Sequence, residues 1–174
     1  MIIKNGLVFH ESGKFEKRDL YVEGDKIACT TQGETIDATG LYVIPGLTDL
    51  HFHGCVGYDF CDGTVEAINN MAEYELSQGI TTICPASMTF SEERLNKIFA
   101  AAKEYKGETG AELVGINMEG PFISMEKKGA QNPEFIHKPD ADMFYRLQEA
   151  AGGLVKLVDI APVSYTHLRA HETT

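Results

Sequence analysis

From Leu47 onward the chain alternates in a way that leaves few folds open. Four runs rich in apolar and β-branched residues, Leu47–His53, Ile80–Ala86, Leu113–Met118 and Leu154–Ile160, are separated by segments with helical periodicity and helix-capping residues. Strands linked by crossover helices pair in parallel, because parallel neighbours cannot be joined by a tight hairpin. The expected fold class is therefore α/β. A complete (β/α)8 barrel takes about 250 residues, and this chain has 174. The expectation is a partial (β/α)8, TIM-type barrel of about four βα units over residues 45–162.

The helices follow from caps and apolar stripes. Thr64 caps the first, with Val65, Ile68, Ala72 and Leu76 read as its inward stripe and Gly79 as its close. Ser91 caps the second, Glu92 and Glu93 sit at its positive end, and Leu95, Ile98, Phe99 and Ala102 face inward. A third runs from about Asp140 to Ala151, after a long loop over 120–139. Ile80–Ala86 reads as one continuous strand covered on both faces.

Residues 1–44 read differently. Ile2-Ile3, Leu7–Phe9, Leu20–Val22, Ile27–Cys29 and Leu41–Ile44 are short strand signals, with a two-residue hairpin turn at Gly24-Asp25. This is a small β unit. At the other end, residues 163–174 lack both apolar periodicity and turn chemistry, and read as a non-native tail. His167 and His171 there have the i, i+4 spacing of a helical zinc pair. No glutamate follows the first histidine, so a metal site is not expected.

Charge and composition narrow the partners. A net charge of −11 and a pI near 4.9 disfavour a phosphate backbone, so no nucleic-acid partner is expected. Without an 18-residue apolar run or a signal-peptide pattern, no membrane association is expected, and the expected location is cytoplasmic. Cys29, Cys55, Cys61 and Cys84 form no Cys-x-x-Cys pair, which fits reduced thiols, and Cys55 is read as a small, partly buried residue rather than a ligand.

The chemistry is expected at strand ends. His51 and His53 close the first parallel strand, and strand alternation turns both to one face, near enough to converge on an ion. Asp49 shares that face and is read as an orienting group. A His-x-His pair alone is equally a polar strand end. Context comes from Glu119, which ends the third strand ahead of Gly120-Pro121 and so shares the same rim. Together the three read as a metal site. Lys127, Lys128, His137 and His10 are read as solvated surface groups.

Two segments carry a resemblance. Ile44-Pro45-Gly46-Leu47-Thr48-Asp49-Leu50-His51-Phe52-His53-Gly54 resembles the segment by which amidohydrolase-superfamily enzymes enter their barrel. Asn117-Met118-Glu119-Gly120-Pro121-Phe122, with Lys128-Gly129-Ala130-Gln131-Asn132-Pro133, is similar to the N-acetylglucosamine-6-phosphate deacetylases within it. The similarity spans residues 1 to about 162.

The resemblance implies that residues 1–44 are the first part of a small β-sandwich. It implies a divalent metal, zinc first and iron, manganese or cobalt as alternatives, in one or two ions, with Glu119, His51 and His53 as ligands. It also implies an amino-sugar phosphate as small-molecule substrate, contacted by Ala130 and Gln131, and a homodimer in the full-length form. Many relatives carry histidine at the position of Gln131. The reaction implied is hydrolysis of the acetamide of N-acetyl-D-glucosamine 6-phosphate, with the proton-donating aspartate beyond residue 162, so that no catalytic residue is expected in this chain and the fragment is expected to be inactive. The alternatives are another amidohydrolase, dihydroorotase-like or an N-acyl amino acid deacylase, and a non-catalytic half-barrel fragment. Dihydroorotase-like members generally place a lysine where Glu119 stands.

Overall fold

The structure, a computed structural model, describes residues 1–161. The expected non-native tail, with His167 and His171, lies outside the described residues. The chain divides into two compact units, Met1–Gly46 and the part from Leu47 onward.

The first unit is a five-stranded sheet of β1 (Ile2–Phe9), β2 (Phe15–Glu23), β3 (Lys26–Ala28), β4 (Thr35–Asp37) and β5 (Tyr42–Val43). β1 pairs antiparallel with β2 and parallel with β4 and β5. The hairpin expected at Gly24-Asp25 joins β2 to β3, with Glu23 opposite Lys26 and Gly24 at φ 60°. Ile2-Ile3 and Leu7–Phe9 are one strand rather than two, because the register shifts between Ile3 and Gly6 without ending the pairing. Asn5 takes φ 63° at this irregularity. Its backbone N–H donates to Asp19 and its side-chain amide donates to Asp37.

The second unit contains β6 (Leu47–Asp49), a small hairpin of β7 (Gly54–Cys55) and β8 (Tyr58–Asp59), α1 (Val65–Ser77), β9 (Ile80–Ile83), β10 (Ala86–Ser87), α2 (Glu92–Glu104), β11 (Glu112–Leu113), β12 (Ile116–Met118), α3 (Ala141–Ala150) and β13 (Val155–Val158). β6 pairs with β9, β9 with β11, β10 with β12 and β12 with β13, all in parallel. The expected second and third strands are each interrupted. Pro85, which has no N–H to give a ladder, separates β9 from β10, and Val114-Gly115 separates β11 from β12. Hydrogen bonds from Cys84 N to Asp49 O, Val114 N to Ile83 O and Asn117 N to Pro85 O carry the order across the breaks. The four runs thus lie side by side in chain order.

One side of this parallel arc is packed. Phe60, Ile68, Met71, Leu95, Ile98, Phe99, Ile116, Met118 and Leu147 form its main cluster, each no more than 1% exposed. α2 presents the face expected of it, and Ser91 caps it by accepting from Arg94 N. α1 does not. Its buried face is Ala67, Ile68, Met71, Ala72 and Glu75, whereas Val65 is half-buried and Leu76 is 44% exposed. Positions 68, 71, 72 and 75 make a true i, i+3, i+4, i+7 stripe, with Val65 and Leu76 on its flanks.

Glu75 is the exception in that stripe, a carboxyl buried beneath the helix beside Cys55 and Asp49. Burial, and then the Asp49 charge, hold its pKa above the ordinary carboxylate value. Burial, and then the Glu75 charge, push the Cys55 thiol up to about 11, so Cys55 is protonated at neutral pH. A carboxyl whose folded pKa is raised favours folding where it is protonated, and that contribution is lost as pH rises through the folded pKa. Glu75→Gln is expected to raise the Tm at pH 7, and the gain is expected to shrink as pH falls toward the range where Glu75 binds its proton. Thermal melts of both forms across pH check this.

Candidate metal centre

β6 ends at Asp49, and backbone hydrogen bonds tie the segment that follows to the chain around it. Ala86 N donates to Phe52 O and Phe60 N donates to His53 O. Phe52 packs against the buried cluster. Alternation therefore sends the rings on either side of it, His51 and His53, to the other face, where they meet at 5.2 Å between centroids and 86° between planes. Glu119 follows β12 directly, and its Oε2 lies 3.4 Å from His51 Nε2 and 3.0 Å from His53 Nε2. One potential ligand atom from each of the three residues lies within 4.8 Å of the others.

The hydrogen bonding of the rings bears on what this cluster can hold. His53 Nδ1 is 3.1 Å from Ala86 O. A carbonyl only accepts, so Nδ1 carries a hydrogen, and it is Nε2 that the neutral ring would offer to an ion beside Glu119. Oε2 of Glu119 is buried and has no hydrogen-bond partner among the described residues. Acceptor atoms converging on one point need a proton or a cation between them. The spacing suits a cation: ligands about 2.0–2.1 Å from a tetrahedral zinc lie about 3.3 Å apart. Two imidazoles and one carboxylate are a donor set for a divalent transition ion.

Backbone geometry holds Glu119 in place. Gly120 has φ 84°, and the Gly120–Pro121 peptide is cis. A Cβ at Gly120 would collide with Thr89 Oγ1. That hydroxyl donates to Glu119 O at 3.3 Å, and Thr89 N donates to Gln131 Oε1 at 2.7 Å. The strand end carrying Glu119 and the 120–139 loop are thus clamped to the same residue.

The remaining sequence-level candidates fall in different places. Gln131 is 4% exposed, its amide engaged by Thr89 N and Met88 Sδ, while Ala130 is exposed. Asp49 lies near the cluster, but its Oδ1 accepts the backbone N–H of His51 at 2.9 Å and so shapes the turn rather than the ring. Cys55 stays outside the cluster. Lys128 Nζ donates to the carbonyls of Gly129 and Gln131, and Lys127 is exposed. His137 is exposed, its backbone N–H on Pro121 O, and His10 contacts Ser12 in the first unit.

Two residues at the site escaped the sequence reading. Asn117, in β12, places its side-chain amide 3.0 Å from His51 Nδ1. Asp159 follows β13, next in register after the Met118–Val158 pair, which sets it beside Glu119. Burial, then the charge of Glu119, raise its pKa, with His51 acting in the opposite direction. The register of β12 against β13 was the missing signal for Asp159, whereas Asn117 stands in the segment already singled out, two positions before Glu119, and only its contact with His51 was hidden.

An arc of parallel βα units, with two imidazoles and a carboxylate that could hold a metal ion converging at the strands' C-terminal ends, defines an α/β protein with its polar cluster where such folds carry their chemistry. More narrowly, the chain belongs to the amidohydrolase family, whose family model matches residues 42–170; that family is generally dependent on divalent metal.

Among characterised proteins, the chain is 31% identical to N-acetylglucosamine-6-phosphate deacetylase of Bacillus subtilis over 95% of this chain and 42% of that protein. The human protein of the same name is 32% identical over 86% of this chain and 40% of its own length. The crystal structure of N-acetylglucosamine-6-phosphate deacetylase from Pasteurella multocida superposes with a TM-score of 0.83 at 25% identity, covering 95% of this chain and 45% of that one. The chain spans less than half the length of these relatives.

If Gly120 sets the position of Glu119, Gly120→Ala should lower stability by about 1–3 kcal/mol, the usual cost of a non-glycine residue in a left-handed conformation. Urea unfolding measures the loss, and a neutral substitution would show that the Thr89 clamp is looser than drawn.

Proposed function

We propose that this chain carries part of the active site of an N-acetyl-D-glucosamine-6-phosphate deacetylase, which hydrolyses the acetamide to glucosamine 6-phosphate and acetate in amino-sugar catabolism. The observation that carries the reading is the convergence of His51 Nε2, His53 Nε2 and Glu119 Oε2, the last buried and without a hydrogen bond. In this reading the three hold a divalent ion, with zinc favoured by the two nitrogens and one oxygen. When bound, such an ion supplies a water nucleophile at neutral pH and polarises the acyl oxygen.

The chain's own residues do the positioning. His53 is held by Ala86 O, Glu119 by the Thr89–Gly120 contact, and both rings by the segment after β6. Gln131 fixes the loop on which Ala130 is exposed, and that loop borders the sugar. The carboxylate at position 119 favours a deacetylase over a dihydroorotase-like enzyme, which generally has lysine there.

The finer reading of the architecture is that residues 1–44 are the first part of a small β-sandwich and residues 45–162 the first half of a barrel, with 163–174 a non-native tail. Further metal ligands and the acid that protonates the departing amine come from sequence outside the described residues, so the 174-residue chain alone is inactive. The complete enzyme is a cytoplasmic homodimer. In support, no helix among the described residues is long and apolar enough to cross a membrane, and the relatives are more than twice as long.

Titration with Zn²⁺ is expected to show saturable binding that Glu119→Gln weakens at least tenfold, while Lys127→Ala leaves it unchanged. Equal affinity in the Glu119 variant would remove the site. For substrate class, saturation-transfer NMR on the zinc-loaded chain should mark the acetyl methyl of N-acetyl-D-glucosamine 6-phosphate and leave dihydroorotate unmarked, with the reverse pattern favouring the rival. Acetate release by the chain alone is expected to be undetectable, and measurable turnover would refute the inactive-fragment reading.

A further inference from the structure

We infer that Asn117 is a positioning residue for the metal centre: its side-chain amide selects the tautomer of His51 and so decides whether Nε2 offers a lone pair to an ion. The inference rests on the reading of His51, His53 and Glu119 as ligands. Ile116 and Met118 are fully buried in the cluster under the helices. Alternation along β12 therefore turns Asn117 to the opposite face, where it is 6% exposed and reaches a ring 66 positions earlier in the chain. Its Nδ2 lies 3.0 Å from His51 Nδ1 and 3.4 Å from Leu50 O, and its Oδ1 is buried with no partner.

A primary amide is the one neutral side chain that offers a donor and an acceptor from nearly interchangeable positions. With Nδ2 toward the ring, the amide donates to Nδ1, and the ring hydrogen sits on Nε2, which faces Glu119 Oε2 at 3.4 Å. That arrangement is self-consistent without an ion. Coordination needs the Nε2 lone pair, which moves the hydrogen to Nδ1, and Nδ1–H then requires an acceptor. A half-turn of the Asn117 amide about its terminal torsion brings Oδ1 to that spot. The buried, unpartnered Oδ1 is the acceptor that the second state uses.

His53 has no such freedom, because Ala86 O can only accept. The two imidazoles therefore differ in kind: one has its Nδ1 fixed as a donor by a carbonyl and the other is set by a rotatable amide. Partners in this position typically govern metal affinity by 10–100-fold.

The test uses the full chain and two substitutions. Asn117→Leu keeps the volume and removes both functions; Asn117→Asp keeps only the acceptor. Zn²⁺ affinity by competition with a chromogenic chelator is expected to fall roughly 10–100-fold in Asn117→Leu and to be restored to within about threefold of the unsubstituted chain by Asn117→Asp. Metal-free ¹⁵N ring spectra should show His51 hydrogenated on Nε2 in the unsubstituted chain and on Nδ1 in Asn117→Asp, with His53 on Nδ1 in both. Melting curves confirm that each variant folds, and the ring spectra read the Asn117–His51 bond without any ion.

Unchanged affinity in Asn117→Leu, with the unsubstituted chain binding zinc and His51→Ala abolishing that binding, overturns the inference alone. Zinc binding that His51→Ala leaves intact overturns the ligand reading beneath it.

Discussion

Parallel pairing is the constraint on which the rest depends. In a parallel sheet every strand leaves at the same end, so whatever follows each strand arrives at a common edge. That is why His51 and His53, after β6, meet Glu119, after β12, despite the length of chain between them. No interaction between imidazole and carboxylate is needed to bring them together. The backbone ladder and the helices covering one side of it do that work, and the polar atoms inherit the geometry. A site assembled this way is as rigid as its sheet, which allows three potential ligand atoms to be held close without an ion forcing them there.

Residues whose local chemistry has a single outcome were legible in the sequence. Gly24 in its hairpin, Thr64 and Ser91 at helix starts and the α2 stripe follow from backbone conformation or helical period alone. His51, His53 and Glu119 were legible because position at a strand end is itself a local property. The strand interruptions at Pro85 and Val114-Gly115 were visible as residues but not as breaks, because the neighbouring apolar side chains hid them. The three-residue β4 is too short to carry a period.

What stayed hidden was relational. The face α1 buries depends on how the helix rolls against the strands, and its stripe admits either Leu76 or Met71 until that roll is known. Gln131 stood in a polar loop and read as a substrate contact. In the fold it is folded inward onto Thr89, an energetically sensible place for an amide with several hydrogen bonds to satisfy. Asp159 faces the site only because β12 and β13 share a register, and register is a property of two strands at once; Asn117 faces it by alternation along β12, but its partner His51 lies across the sheet.

The same logic explains why the polar residues around the site are tolerable at all. Each buried acceptor there has either a backbone partner, as Gln131 Oε1 has in Thr89 N, or an obvious missing one, as with Glu119 Oε2 and Asn117 Oδ1. An unpaired buried acceptor costs about 1–3 kcal/mol. Both are adjacent to the same imidazole, His51, and a cation at the cluster would relieve both: the carboxylate by direct coordination, and the amide through the hydrogen that coordination drives onto Nδ1. Two such costs around one ring are what the proposed ion would account for. On the packed helix side, Ser87 Oγ opposite Met118 is a further buried oxygen without a partner among the described residues, but it has no imidazole beside it to bring a ligand there.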